Sequence, residues 1–272
     1  LNGGEDHSVN RSRFTLTEKA TTKKISPNEL QRYARHIVLR DIGGYGQAKL
    51  KNATVLVIGA GGLGTPVLQY LNAAGVGEIR LVDFDKVNIS NLQRQVIFDE
   101  TQVGLSKVES AREKLLKQNP HTGISIHDYP LDEANVDYLM GNCDVVVDGT
   151  DSFAIRKVVN RCCVKNGIPL VFGAISQWEG QVSVFMGKPC YECIFPEEPT
   201  GEMALTCSEF GVLGSLPGVI GTIMASETIK LITGAGKILE RRLLIWDALY
   251  GEARTIRTAY RKGCPACGVE MV

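Results

Sequence analysis

A glycine loop, a carboxylate beyond it, two cations and a second carboxylate are the residues of this chain best suited to handling phosphates. The loop is Gly59-Ala60-Gly61-Gly62-Leu63-Gly64, spaced G-x-G-x-x-G directly after the β-branched run Thr54-Val55-Leu56-Val57-Ile58. Glycines there let the backbone approach a phosphate, and the helix that opens beyond them turns its free N–H groups toward negative charge. Asp83 stands nineteen residues past Gly64, where a ribose-binding acid belongs. The same loop also serves dinucleotides, so residues downstream of Asp83 decide the ligand. Asn91, Arg94 and Lys107 add polar and cationic groups in the order needed to follow a polyphosphate outward from the sugar. Asp151, in Asp148-Gly149-Thr150-Asp151-Ser152, lies just past an apolar strand, at the edge where open α/β sheets bind ligands. A carboxylate there can hold the Mg2+ that a triphosphate carries. Taken singly, Arg94 and Lys107 also read as solvated surface charges and Asp151 as a helix cap. Taken together they favour a nucleoside triphosphate.

A second chemistry is written in the cysteines. Four of the eight form two C-x-x-C pairs, Cys190-Tyr191-Glu192-Cys193 and Cys264-Pro265-Ala266-Cys267. Two such knuckles supply four thiolates to one tetrahedral Zn2+, a closed structural site with no open coordination position. A dithiol redox motif is the alternative, but those pairs come singly at a helix N-terminus, whereas both pairs here read as Gly/Pro turns. Cys143, Cys162 and Cys163 fall on helix or strand segments and read as small core residues. Cys207, in Leu205-Thr206-Cys207-Ser208-Glu209-Phe210, falls outside any element, where an exposed thiol can act as a nucleophile.

These residues need a frame, and 272 residues are enough to bury a full core. Ser26-Pro27-Asn28-Glu29 is a helix start, with Ser as cap, Pro first in the helix and Glu closing a capping box, and the helix is expected to reach about Arg40. Strands are expected at 54–58, 78–83, 124–127, 144–148 and 168–172, with helices over 63–74, 106–118, 133–141 and up to Lys165 between them. The alternation, with charge-poor β-branched strands, predicts an α/β fold: a Rossmann-like, doubly wound, mostly parallel sheet with helices on both faces. Beyond it the rhythm changes. A strand over 180–186, a Gly-, Pro- and Cys-rich stretch over 187–216, a long helix opened by Pro217 and two strands at 243–246 and 253–258 predict an antiparallel C-terminal extension carrying the zinc site. Residues 1–24 are polar and read as a flexible tail, and 25–272 as one domain, its nucleotide-binding half near 25–173 and its partner-binding and zinc part near 174–272. Thirty basic residues balance thirty acidic ones, which argues against bulk nucleic-acid or membrane affinity. The most apolar stretch, Leu213 to Ile232, is interrupted by Gly214, Pro217, Gly218 and Gly221 and carries Glu227 and Lys230, so it reads as a buried helix. A cytoplasmic location is the expectation.

The motifs RYARHIVL, GAGGLG, LVDFDKVNISNLQRQ, VGLSKVESA, DGTDSF, the paired C-x-x-C and ALTCSEFGVLGSLPGVIG together resemble the MoeB/ThiF family of ubiquitin-activating-enzyme-like adenylyltransferases, from about Ser26 to Cys267. The resemblance implies a homodimer that binds a small β-grasp, ubiquitin-like sulfur-carrier protein and adenylates its C-terminal Gly-Gly carboxylate with ATP and Mg2+, releasing pyrophosphate. The acyl-adenylate then accepts sulfur for molybdopterin, thiamin or a related product. It further implies nucleotide contacts from Gly59, Gly61, Gly62, Gly64, Asp83, Asp85, Ser90, Asn91, Gln93, Arg94, Lys107, Asp151 and Ser152. Among these, Lys107 is the phosphate lysine and Asp151 the acid tied to Mg2+. Arg35 would reach the phosphates of the partner subunit's ATP. Ser152 stands where the family commonly has Asn, and Cys207 matches a cysteine that some members link covalently to the activated carrier. With the chain ending just after Cys267, sulfur is expected from a separate donor protein. Two other substrates stay open at this point: a carboxylate on a modified tRNA base, against which neutral charge argues mildly, and the nicotinamide of an NAD-dependent oxidoreductase. A catalytically silent partner would have no need of Arg35, Arg94, Lys107 and Asp151.

Overall fold

The computed structural model describes residues 23–198 and 211–268. Eight strands form one sheet: β1 (Thr54–Ile58), β2 (Glu78–Val82), β3 (Gly123–His127), β4 (Val145–Asp148), β5 (Leu170–Ser176), β6 (Glu179–Phe185), β7 (Arg242–Asp247) and β8 (Glu252–Arg257). Their order is β3-β2-β1-β4-β5-β6-β7-β8. The first five run parallel, and β6, β7 and β8 each pair antiparallel with the preceding neighbour. The central strands β1 and β4 are buried at every position because both faces are covered, with separate apolar clusters on either side of the sheet.

The helices are α1 (Pro27–Arg32), α2 (Ala34–Ile37), α3 (Gly43–Asn52), α4 (Gly64–Ala74), α5 (Lys107–Gln118), α6 (Val136–Met140), α7 (Phe153–Asn166), α8 (Tyr191–Ile194) and α9 (Leu216–Thr233). The expected mostly parallel sheet with an antiparallel extension is what forms. The first helix departs from expectation. Its capping box forms between Ser26 and Glu29, but α1 ends at Arg32, because Tyr33 is drawn inward. The Tyr33 side chain is buried, its hydroxyl accepts from Asn119 Nδ2 at 2.9 Å, and its ring packs so tightly on Gly75 that a Cβ there would lie 2.4 Å away. Tertiary docking thus overrides a continuous helical pattern. Helix α3, unannounced in a stretch that holds Gly43, Gly44 and Gly46, exists because its face docks on α9: a Cβ on Gly46 would come within 3.4 Å of Thr233. Helix α9 itself lies almost in contact with the sheet, since a Cβ on Gly173 or Gly180 would meet Met224 or Ile220 at 2.2 Å. Among the described residues no helix is long and apolar enough to cross a membrane.

Candidate functional site

A cavity of about 730 Å3 opens at the C-terminal ends of β1, β2 and β4. Strand order reverses between β1 and β4, the switch point at which open α/β sheets leave a crevice. Gly59, Gly61 and Gly62 line it. Gly59 has φ +91°, a conformation glycine adopts without strain. Gly64 does not line the cavity. A Cβ on it would fall 1.8 Å from the Gly59 carbonyl oxygen, so the last glycine of the motif closes the helix onto the strand and acts on the loop's shape.

The Asp83 carboxylate lines the cavity and ties the loop to β2. Its Oδ2 accepts from the Ala60 N–H at 2.6 Å and its Oδ1 from the Asp85 N–H at 2.8 Å. Burial pushes this carboxyl up from its ordinary value, opposed by the Lys107 charge and by those two hydrogen bonds. Lys107 is 4% exposed and pairs with Asp85 at 2.8 Å, with the carboxylate half-exposed at the cavity wall. A buried ammonium with one solvated partner is available to a phosphate that displaces it. Ser90, Asn91 and Arg94 line the cavity beside them, and Arg94 Nη1 donates to the Ser90 carbonyl at 3.1 Å. Gln93 does not. It faces away, its Nε2 donating to the Val212 carbonyl at 3.4 Å, and Gln95 lines the cavity instead. The spacing carries the signal: Asn91, Arg94 and Gln95 are i, i+3 and i+4 on a helical turn in which the Gln95 N–H reaches the Asn91 carbonyl.

Asp151 and Ser152 both line the cavity. The cap of α7 is Ser152, whose Oγ accepts from the Ile155 N–H at 3.4 Å, so Asp151 has no capping duty. Arg156 also lines the cavity, one turn into α7, and the sequence pattern did not single it out. Tyr129, Pro130 and Leu131, after β3, supply an apolar wall. Arg35 lies exposed on α2 and lines no part of the cavity of its own chain. Cys207 lies outside the described residues.

The four C-x-x-C sulfurs converge. Cys190, Cys193, Cys264 and Cys267 are all buried, with their Sγ atoms within 4.8 Å of one another. The separations are 3.9 Å for Cys190–Cys193, 3.6 Å for Cys190–Cys264 and 3.4 Å for Cys193–Cys267. Four sulfurs about 2.3 Å from a common tetrahedral centre lie about 3.8 Å apart, so the donor set fits one zinc-sized cation. The first pair does not sit in a plain turn as expected: Cys190 stands immediately before the single-turn helix α8, and it is Asn160 Oδ1, from α7, that accepts the Tyr191 N–H at 3.0 Å. Convergence of four thiols, not the local turn, sets this cluster apart from a lone redox pair. Cys143, Cys162 and Cys163 are buried in the apolar core, as their pattern implied.

Fold and site together define a nucleotide-binding α/β protein with a four-cysteine cluster on its antiparallel extension. The chain belongs to the ThiF family, whose match runs over residues 33–266. It is 44% identical over 250 residues to a sulfur carrier protein adenylyltransferase of Thermus thermophilus, covering 89% of this chain and 92% of that one. It is also 44% identical to the adenylyltransferase and sulfurtransferase MOCS3 of Culex quinquefasciatus, where 92% of this chain spans 58% of the relative. Among solved structures, Escherichia coli MccB with ATP superposes with a TM-score of 0.78 at 27% identity, over 90% of this chain and 75% of that one. The relatives' names favour adenylyl transfer to a sulfur carrier over the tRNA-base and oxidoreductase readings.

Proposed function

We propose that this chain uses ATP to adenylate the C-terminal Gly-Gly carboxylate of a small ubiquitin-like sulfur-carrier protein. The observation that carries the proposal is the convergence, in one cavity at the sheet's switch point, of the glycine loop, Asp83, Arg94, Lys107 and Asp151. In this reading the loop and Asp83 hold the sugar and phosphates, and Arg94 and Lys107 spread the phosphate charge. Asp151 holds Mg2+, which supplies further charge neutralisation when bound. A carboxylate oxygen of the carrier bonds to the α-phosphorus as the bond to the bridging oxygen of pyrophosphate breaks, and that oxygen leaves with the electron pair. No general base is needed, since the attacking carboxylate is already ionised near neutral pH. The task is to bring three anions together, and fixed cations in a partly desolvated cleft do that. The product is a mixed anhydride that a sulfur nucleophile opens by displacing AMP.

A homodimer fits the exposure of Arg35, which in this reading acts at the partner subunit's ATP. The cysteine cluster would hold Zn2+ as a fastening, and Cys207 would serve as a nucleophile toward the adenylate. Sulfur would come from a separate donor, for molybdopterin or thiamin assembly in the cytoplasm. The deciding test is ATP–pyrophosphate exchange with Mg2+ and a panel of β-grasp proteins ending in Gly-Gly, each against its tail-truncated form. Exchange with one intact carrier is the expected result and names the pathway. Absence of exchange with every carrier, in protein that binds ATP, would overturn the proposal.

A further inference from the structure

One charged group at the cavity, Arg156, has no role in the proposed adenylyl transfer. Arg156 is 6% exposed yet lines the cavity, and its Nη2 donates to the Thr150 carbonyl at 2.5 Å. On the other side of that residue, Asp148 Oδ1 accepts from the Thr150 N–H at 2.9 Å and from its Oγ1 at 2.7 Å. One step earlier the Gly149 N–H donates to the Ile58 carbonyl at 3.0 Å, at the root of the glycine loop. Thr150 is thus gripped through its amide, its hydroxyl and its carbonyl by two buried charged side chains, and the next residue is Asp151.

The guanidinium is itself held. It lies 5.2 Å from the ring centroids of both Phe153 and Phe172, within cation–π range of two aromatic faces. Phe172 packs on Tyr191 with centroids 5.1 Å apart, and Tyr191 belongs to the first cysteine knuckle. An arginine that merely neutralised Asp148 would need no such bracing, and its hydrogen bond would not be spent on the Thr150 carbonyl.

We infer that Arg156 is a positioning residue: by holding the Thr150 carbonyl it fixes Asp151 at a set distance from the glycine loop. The inference rests on the reading of Asp151 as the carboxylate that meets magnesium-bound ATP. Methionine in place of Arg156 fills similar space but leaves the carbonyl without its charged donor, and the turn is then free to shift.

The test is ATP affinity by calorimetry, with Mg2+ and with a chelator, for the wild type and for Asp151→Asn, Arg156→Met and Arg156→Lys, alongside each thermal midpoint. The wild type gains affinity with Mg2+ and Asp151→Asn loses that gain. Arg156→Met is expected to lose roughly tenfold of the gain, the worth of one charge-assisted hydrogen bond, while Mg2+-free affinity stays within about twofold. Lysine, a point donor without the planar fork, restores part of it. A full magnesium response in folded Arg156→Met, or in Arg156→Lys if the methionine variant does not fold, overturns the inference. So does an equal loss of affinity with and without Mg2+, which marks a structural or direct-contact role. A magnesium response that Asp151→Asn leaves intact overturns the reading of Asp151, and the positioning role with it.

Discussion

The nucleotide cavity and the cysteine cluster are both collections of polar groups, and they are built on opposite plans. In the cavity, Lys107 and Asp83 are held by one or two protein partners and still face open space. In the cluster, four buried thiols converge on one another, with the Asn160 amide donating to the Cys190 sulfur, and all four cysteines are 8% exposed or less. Burial raises the energetic cost of an unmatched charge. In the proposed function the cavity tolerates that cost because a ligand would supply the missing partners, whereas the cluster would close on a single ion and leave nothing for a substrate. Under the proposed function, the contrast separates the part that would react from the part that would fasten. The sheet is divided the same way: the half that bears the cavity is parallel, with its crevice set by strand order, and the half that bears the cysteines is antiparallel and ends in β8, exposed at every position.

The most severe way to break this contrast is to open the cluster. Cys193→Ser or Cys264→Ser removes one of four thiolates, and the second knuckle, which lies 74 residues from the first, loses its tie. Binding energy in a structural zinc site is folding energy, so a loss of about 4 kcal/mol or more is expected, a drop of roughly 10 °C in thermal midpoint for a chain of this size. Elemental analysis of the wild type should return one zinc per chain. A serine variant that melts with the wild type, or metal-free protein of unchanged stability, would remove the fastening role.

Opening the other plan should do the reverse, costing rate and leaving stability alone. Asp151 caps no helix, because Ser152 does, so Asp151→Asn should melt within about 1 °C of the wild type, as surface substitutions usually do. Its carrier-dependent exchange should fall about 100- to 1000-fold, the usual cost of removing one preorganised electrostatic group. Single-turnover adenylate formation and a melting curve on the same sample check both halves. A variant that loses stability and keeps exchange would exchange the roles of the two regions.

Much of this was legible in the sequence because it depends on spacing along one chain. The glycine loop, Asp83 and Asp151 each come just after the end of a strand, and the two knuckles carry their own ligand spacing. What was not legible depends on three-dimensional approach. Gly64 matches the motif but contacts the Gly59 backbone and not the cavity. Gln93 and Gln95 differ only in which side of a helical turn they occupy. Arg156 is an ordinary charge in a helical pattern until Thr150, Phe153 and Phe172 surround it. Tyr33 breaks a good helix because Gly75 leaves room for its ring and Asn119 reaches its hydroxyl. Arg35 lies exposed on α2, in the segment that this break redirects, and its proposed role would need a second subunit.

The smallest effect sharpens the comparison by adding a fastening of a third kind. Glu29 is buried and binds Lys51 and the Ser26 N–H and hydroxyl, tying α1 to α3. Burial pushes its carboxyl up, but the Lys51 ammonium and the Ser26 bonds outweigh it and hold the group at about 2, below its ordinary 4.5. A depressed folded value means the contribution is complete above the unfolded value and drains away as pH falls from 4.5 toward about 2. The loss is on the order of 3 kcal/mol. Glu29→Gln keeps an oxygen for Ser26 while removing the titration, so the stability difference between wild type and variant isolates this group from exposed carboxylates such as Asp99 and Asp137, whose values are also held at about 2. Urea denaturation should find the difference constant above about pH 5 and largely gone by about pH 2. A difference that persists unchanged across that range would mean that packing, not charge, joins α1 to α3, and the ion pair would then be no fastening at all.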